Sequence, residues 1–308
     1  MGFLFDSLSS MFGYVLWFFF DAVSNYGLAI TLFALVVNII MFPLAIKRQK
    51  SMASNARMAV KQQELKKKYE KNPRKYNEEV AKLYESEGVN PMSGCFATMV
   101  VPLILWTGIF GAVTKPLQNT LHIPADKVSA AVTAVCENTG EENKMARNYR
   151  ELQVVRSFDS VKDKLTMFDK KEMEDLEEYS HGFNFFGINL LQTPKGSAFS
   201  EFLWLIPLLC FVSSAAAMYI SQKMMGMQNT MQGCNKFLPY GMLLFTAYIA
   251  YTIPGAVGLY WVINSAIGAV QNIVLNKFYN TYTINAHDEA ARAALLFEKE
   301  SKITSENN

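Results

Sequence analysis

The 308-residue chain has little charge and little cysteine. Only 18% of its residues are charged, and a net charge of +2 provides no basic field of the kind that binds nucleic acid. Four cysteines are too few for a disulfide-stapled secreted scaffold. The apolar fraction of 51% excludes intrinsic disorder, because disorder requires low hydrophobicity and high charge.

The chain also lacks the motifs of the common enzyme classes. It contains no H-E-x-x-H, C-x-x-C, G-x-S-x-G or Walker sequence, and its three histidines are scattered. We therefore expect no catalytic residue, no metal and no cofactor.

The main feature that is present is a set of five long apolar stretches without a charged residue or histidine. About 20 apolar residues in a helix cross a bilayer. The five stretches lie at roughly 28–46, 96–114, 202–220, 237–253 and 256–275. Buried core helices of a soluble protein would explain one or two of them. The pattern therefore predicts an all-α polytopic membrane protein.

Charge between the stretches predicts the orientation. Segment 47–92 carries twelve Lys or Arg against six Glu, so the positive-inside rule places it in the cytoplasm. The N-terminus is then outside and the C-terminus inside. The expected segments are an outer-face interfacial helix (1–24), a first transmembrane helix (25–46), a basic hairpin (47–92), a second transmembrane helix (93–114), an extracytoplasmic loop (115–200), transmembrane helices three to five (201–276) and a cytoplasmic tail (277–308).

Several of these segments allow two interpretations. Segment 1–24 is an interfacial helix, with Tyr26 and its aromatic neighbours at headgroup level, or a sixth span. Segment 47–92 is a mobile helical hairpin broken at Asn72-Pro73, or a solvated loop that only sets topology. Its cations include Lys47, Arg48, Lys50, Arg57, Lys61, Lys66 and Lys67. The aromatic stretch 183–190 is expected to rest on the membrane surface.

The predicted spans carry uncharged polar residues, several of them near mid-depth. They include Thr31, Asn38, Ser213, Ser214, Thr246, Asn264 and Gln271. An uncompensated amide in hydrocarbon is costly, so these groups must face one another or water. They are either hydrogen-bonding contacts between helices or the lining of a polar groove. Prolines such as Pro43 and Pro102 would bend the bundle and leave such a groove open.

Particular motifs resemble one known family. They are Asn25-Tyr26-Gly27-Leu28-Ala29-Ile30, Asn38 with Pro43-Leu44, Asn90-Pro91-Met92-Ser93-Gly94-Cys95, Phe186-Gly187-Ile188-Asn189-Leu190, and Pro254-Gly255 followed by Gly258-Leu259-Tyr260-Trp261 and Asn264. In this order they resemble the YidC membrane-protein insertases over about 11–280. The chain looks like the short bacterial type without a large periplasmic domain.

The resemblance implies an insertase of the bacterial cytoplasmic membrane rather than an enzyme. Its five helices would surround a groove open to cytoplasm and lipid, and its partners would be nascent membrane proteins and the bilayer, with the ribosome and the Sec translocon as further candidates. Family members usually carry an arginine where this chain has Asn38. We therefore expect a neutral polar groove with Lys47 and Arg48 at its cytoplasmic mouth. Tyr260 and Trp261 match an aromatic pair that contacts substrate, or they are ordinary packing.

Two other classes of function are alternatives to an insertase. A small-solute transporter or channel would place ionisable residues or repeated halves in the spans, and neither is found in the sequence. A non-catalytic assembly subunit would satisfy every polar residue within a closed bundle.

Overall fold

The computed structural model describes residues 2–86, 104, 107–139, 149–197, 201–225 and 238–306. Helices α1 to α4 cover Gly2–Val23, Tyr26–Ile40, Phe42–Lys68 and Pro73–Ser86. Helices α5 to α9 cover Pro116–Asn119, Ala125–Thr139, Arg150–Arg156, Phe158–Val161 and Lys170–His181. Strands β1 and β2 are Asn184–Phe185 and Ile188–Asn189, and helices α10 to α13 are Leu205–Met225, Leu238–Thr252, Gly255–Phe278 and Thr281–Glu306.

The break between α2 and α3 falls where the sequence cannot continue a regular helix. Residue Met41 separates the two helices, and Pro43 lies in the first turn of α3. Proline is tolerated there because its missing N–H has no partner within the helix. The other proline assigned to bending, Pro102, lies outside the described residues, as do most of the expected second span 93–114 and the Asn90–Cys95 motif.

The described helices contain strong candidates for membrane spans. In the ranges given above, one helix over Leu205–Lys223 and one segment starting at Gly255 are long and apolar enough to cross a membrane. Helix α2 and the start of α3 meet the same criteria together as a bent pair, which would make a third span. Large apolar side chains remain exposed along these helices, among them Leu208, Leu209, Val212, Val270, Ile273 and Val274. Such a surface suits lipid rather than water.

The chain forms two compact units. The first comprises Met1–Ile39, Met99–Ala215 and Tyr240–Ile267. It contains a continuous apolar core with an aromatic cluster of Phe20, Tyr26, Tyr179 and Phe183. The rings of Tyr26 and Phe183 stack with centroids 4.1 Å apart. Tyr26 is fully buried, so its ring contacts protein rather than headgroups, and its expected depth at headgroup level stays a prediction.

The first unit includes a folded region that sequence patterns did not reveal. Residues 115–197, which we call the insert domain, carry α5 to α9 and the β-hairpin. Lys127 on α6 donates to Glu172 on α9 at 2.6 Å, and Asp169 and Glu172 form a capping box at the start of α9. Phe183 and Leu190 are buried in its core, while Phe186 is 89% exposed. The stretch 183–190 thus has buried residues at both ends and an exposed tip between them, and its expected contact with the membrane surface stays a prediction.

The second unit comprises Ile40–Thr98, Ala216–Pro239 and Gly268–Asn308. In it, α3 and α4 are joined by a hydrogen bond of 2.7 Å from Gln62 Nε2 to the hydroxyl of Tyr84. Helix α13 packs along α3. The Nζ atom of Lys50 lies 5.6 Å from the ring centroid of Tyr279, just before α13 begins.

One carboxyl group of the insert domain is buried. Glu151 on α7 is only 7% exposed, and its Oε2 accepts a hydrogen bond of 3.1 Å from the backbone N–H of Gln118 in α5. Burial raises the pKa of Glu151 to about 7, although the hydrogen bonds and the charge of Lys115 act in the opposite direction. The folded carboxyl therefore binds its proton more tightly than the ordinary value of 4.5 implies.

This pKa predicts how the stability of the insert domain depends on pH. Because the folded state binds more protons, its stability should be highest at low pH and fall as the pH rises through 4.5 to about 7. Between pH 5 and pH 8 the loss should be on the order of 2 kcal/mol. Glu151→Gln should remove this slope in thermal unfolding followed by circular dichroism. The exposed Glu177→Gln serves as the control, and an unchanged slope in Glu151→Gln would contradict the assignment.

Candidate functional site

Helix α12 is the element on which the polar side chains of the first unit converge. Its start is fixed by two hydrogen bonds from its first N–H groups. Gly255 N donates to the carbonyl of Gln192 at 2.8 Å, and Ala256 N donates to that of Leu190 at 2.9 Å. Early N–H groups of a helix have no partner within the helix, so these carbonyls satisfy them. The chain leaving the insert domain therefore positions α12.

The most central polar contact joins α12 to α2. Asn38 Nδ2 donates to Asn264 Oδ1 at 3.1 Å and to the carbonyl of Ala34 in its own helix at 2.8 Å. We call Asn38 and Asn264 the amide pair. Both side chains are half-buried. The two amides that were expected to face each other or water do meet.

The amide pair leaves hydrogen-bonding capacity unused. Among the described residues, no protein group bonds Asn38 Oδ1 or either remaining proton of Asn264 Nδ2. A primary amide offers two donors and an acceptor with two lone pairs, so the pair retains both kinds of group for a third molecule. Both side chains are only half-buried, so part of each remains exposed.

A second polar contact joins α12 to α10. The hydroxyl oxygens of Ser214 and Ser265 lie 3.3 Å apart, and we call these residues the hydroxyl pair. Nearby, the Sγ of Cys210 donates to the carbonyl of Gly258 at 3.4 Å. A Cβ atom on Gly258 would overlap the side chain of Ile206, so glycine allows the close approach of α10. Sequence reasoning omitted Ser265 from the site, although its position next to Asn264 was a signal.

The remaining polar residues do not join helices. Thr31, Ser213 and Thr246 each donate a hydroxyl proton to a carbonyl three or four residues earlier in their own helix. Such bonds satisfy a hydroxyl in hydrocarbon without a neighbouring helix. Tyr260 is buried in the core, and Trp261 is half-buried.

The predicted cations and Gln271 belong to the second unit. On α3, the side chains of Lys47, Arg48, Lys50, Lys66 and Lys67 are exposed, Lys61 is half-buried and Arg57 is buried. Gln271 is half-buried on the later part of α12. In the described ranges, no group of three or more His, Cys, Asp or Glu side chains could hold a metal ion.

Comparison with known proteins identifies the family. The model of the 60Kd inner membrane protein family, to which the YidC proteins belong, matches residues 18–282. The chain belongs to this family. The matched range includes α2 to α12 and both polar pairs. The family resemblance expected from the sequence is thereby confirmed, and with the apolar helices it makes the chain a membrane protein of mainly α-helical structure.

Individual relatives are similar over a limited region. The membrane protein insertases YidC of Campylobacter jejuni, Caulobacter vibrioides and Helicobacter pylori are 35%, 34% and 34% identical to the chain over 108, 105 and 110 residues. These alignments cover 35%, 34% and 36% of this chain. They cover only 20%, 16% and 19% of the respective relatives.

The amide pair predicts an energetic coupling between α2 and α12 of this family member. Asn38→Leu and Asn264→Leu should each destabilise the protein, because each leaves the other amide without its partner. The loss in free energy of unfolding of the double variant should be smaller than the sum of the two single losses, by about 0.6 kcal/mol and at most about 1.7 kcal/mol. Unfolding by SDS in mixed micelles, followed by tryptophan fluorescence, measures these differences.

A matched cycle controls for general effects of polar-to-apolar substitution. Among the described residues Thr246 bonds only its own helix, so Asn38→Leu combined with Thr246→Val should be additive. If the coupling between Asn38 and Asn264 equals that of this control cycle, the amide contact contributes nothing.

Proposed function

We propose that the protein is an insertase that transfers nascent membrane proteins into the lipid bilayer and assists their folding, without catalysing a covalent reaction. Relatives of the same family carry the name membrane protein insertase. The observation that carries the proposal is the amide pair, in which α2 and α12 place partly unsatisfied polar groups between otherwise apolar helices. Such groups suit a substrate that must move polar segments through hydrocarbon.

The physical task of an insertase is to lower a desolvation barrier. A polar segment without hydrogen-bond partners in hydrocarbon costs several kcal/mol for each unsatisfied group. The open donor and acceptor atoms of the amide pair would bond such a segment in transit. Burial of the substrate's apolar helix in lipid would supply the driving free energy, at about 25 cal/mol for each Å². The process requires no nucleotide.

The proposal includes five transmembrane helices around a polar groove that is open to the cytoplasm and to lipid. The five apolar stretches support the number of spans. Both polar pairs involve α12, so this helix would form one wall of the groove. The groove would be neutral, since Asn38 stands where family members usually carry arginine. Tyr260 and Trp261, on the same helix, would contact the passing substrate.

The proposed orientation places the N-terminus outside and the C-terminus inside the bacterial cytoplasmic membrane. The excess of basic residues in 47–92 supports it through the positive-inside rule. A membrane-impermeant thiol reagent applied outside a cysteine-free background should label Lys170→Cys in the insert domain. It should reach Lys66→Cys only after permeabilisation. The reverse pattern would overturn the orientation.

The basic hairpin of α3 and α4 is the proposed contact for the ribosome, and the Sec translocon is a further proposed partner. The exposed Lys66 and Lys67 end α3 close to the turn, where RNA phosphates could approach them. Lys66→Glu with Lys67→Glu should weaken co-sedimentation with ribosomes. The binding that remains should depend less on salt concentration. The same charge change at Lys162 and Lys171 in the insert domain should have no effect. Equal binding by both variants would exclude this hairpin as the docking site.

Reconstituted insertion tests the function directly. Purified protein in liposomes should protect a single-span substrate with a short polar tail from protease, well above empty liposomes. Asn38→Leu should reduce protection of this substrate more than that of one with an apolar tail, because only the polar tail uses the amide pair. Failure of the folded, correctly oriented parent to insert either substrate would remove the autonomous insertase proposal.

A double variant separates substrate binding from helix packing. Asn38→Leu with Asn264→Leu removes both amides, so neither is left unpaired between the helices. If the amides serve substrates, insertion of the polar-tailed protein stays impaired in the double variant even where its stability recovers. If insertion recovers together with stability, the pair is a packing contact, as expected for an assembly subunit.

A further inference from the structure

The tip of the β-hairpin in the insert domain presents one exposed aromatic side chain. Strands β1 and β2 pair Asn184 with Asn189 and Phe185 with Ile188, so Phe186 and Gly187 form a two-residue turn. Both turn residues have positive φ, +50° for Phe186 and +82° for Gly187. The side chain of Phe186 is 89% exposed. The hairpin therefore holds a large apolar ring outside the core.

Phenylalanine is an unfavourable choice for this turn on local grounds. Turns with positive φ at both central residues favour asparagine or glycine at the first position, because a bulky side chain is crowded there. Asn184 Oδ1 supports the turn by accepting from Gly187 N at 3.0 Å, but no contact buries the Phe186 ring. Neither turn geometry nor core packing of the chain accounts for an aromatic residue at this position.

The hairpin is held at the start of helix α2. Asn25 Oδ1 caps this helix by accepting from Leu28 N at 3.1 Å, while Asn25 Nδ2 donates to the carbonyl of Asn184 at 2.9 Å. A Cβ atom on Gly27 would overlap the ring of Phe185, so β1 packs directly on the first turn of α2. The rings of Phe185 and Phe186 lie 4.6 Å apart. Phe186 is thus positioned by the N-terminal end of α2.

Helix α2 carries an exposed apolar stripe that begins at this end. Leu28, Leu32, Leu35 and Ile39 are all exposed, and their spacing of four, three and four places them on one helical face. In a membrane protein such a stripe contacts lipid. Asn25 and the hairpin lie where this stripe starts, so they would lie at the boundary between lipid and water if the stripe faces lipid. No charged residue occurs from Gly182 to Pro194, so no charge opposes contact with the bilayer there.

We propose that Phe186 inserts into the interfacial layer of the lipid bilayer at the N-terminal end of α2 and anchors the insert domain to the membrane surface. The occupant is lipid, because the exposed stripe of α2 continues the apolar contact from the same end. Phenylalanine is among the residues that interfacial segments bury at the boundary between headgroups and acyl chains. The exposed Asn184 and Asn189 on either side would remain among headgroups and water. The proposal does not depend on insertase activity.

Depth-dependent fluorescence quenching tests the position of residue 186. Phe186→Cys, in a full-length background with the native cysteines replaced, is labelled with the dye NBD and reconstituted into phosphatidylcholine–phosphatidylglycerol vesicles. Without any substrate, emission should be blue-shifted, and shallow nitroxide-labelled lipids should quench it more strongly than deep ones. The matched control Lys170→Cys, exposed on α9, should show water-like emission and little quenching.

The outcomes discriminate between lipid and other environments. Water-like emission without quenching at residue 186 would overturn the proposal. Blue-shifted emission without quenching by lipid would also overturn it, because the probe would then be buried in protein. Lipid quenching that appears only after addition of a substrate protein would mean that the tip enters lipid only during insertion, and this would also contradict a permanent anchor.

A second measurement uses the unsubstituted side chain and does not depend on the label. A photoactivatable phospholipid should cross-link to the segment 182–194 of the parent protein in vesicles, as mapped by mass spectrometry. Phe186→Asn should lower this yield at least about threefold, since asparagine fits the positive φ and preserves the turn while removing the apolar ring. An unchanged yield in this folded variant would exclude Phe186 as the anchor.

Discussion

An unsatisfied polar group in hydrocarbon costs several kcal/mol, and this cost governs how each polar side chain of the apolar helices is arranged. Backbone groups meet it by forming helices, and Thr31, Ser213 and Thr246 meet it by bonding to their own helices. The amides of Asn38 and Asn264 meet it only partly, because each has more hydrogen-bonding groups than the neighbouring helix satisfies. These unsatisfied hydrogen-bonding groups distinguish α12 from a helix that merely spans the membrane, and they are the chemical basis of the proposed groove.

The insert domain explains how the polar contacts acquire fixed positions. Carbonyls of Leu190 and Gln192 receive the first N–H groups of α12, and the aromatic cluster around Tyr26 holds the start of α2. Both helices that carry the amide pair are therefore fixed at one end by the same folded region. A simple connecting loop could not provide this, because it would have no buried core. The insert domain is thus a structural support for the site.

Sequence patterns predicted the helical class and the polar candidates for clear physical reasons. Charge-free apolar stretches indicate membrane helices, and Asn38 and Asn264 are conspicuous within them. The folded core of residues 115–197 was missed, because it consists of short helices whose apolar residues, such as Leu152 and Val155, lie among many charges. The partnership of Ser214 with Ser265 was missed for a different reason, since a serine in a helix can satisfy itself and gives no sign of its neighbour.

The family, the apolar stretches and the polar residues that need partners can all be predicted from the amino-acid order, because they follow from composition, spacing and motif. Which polar residues meet became apparent only from the folded chain, since hydrogen-bond partners 226 residues apart leave no local signal. The folded chain also shows that Tyr26 and Phe183 are buried while Phe186 is exposed. All three are aromatic residues in similar apolar surroundings along the chain, and their environments differ only because packing between distant segments buries two of them.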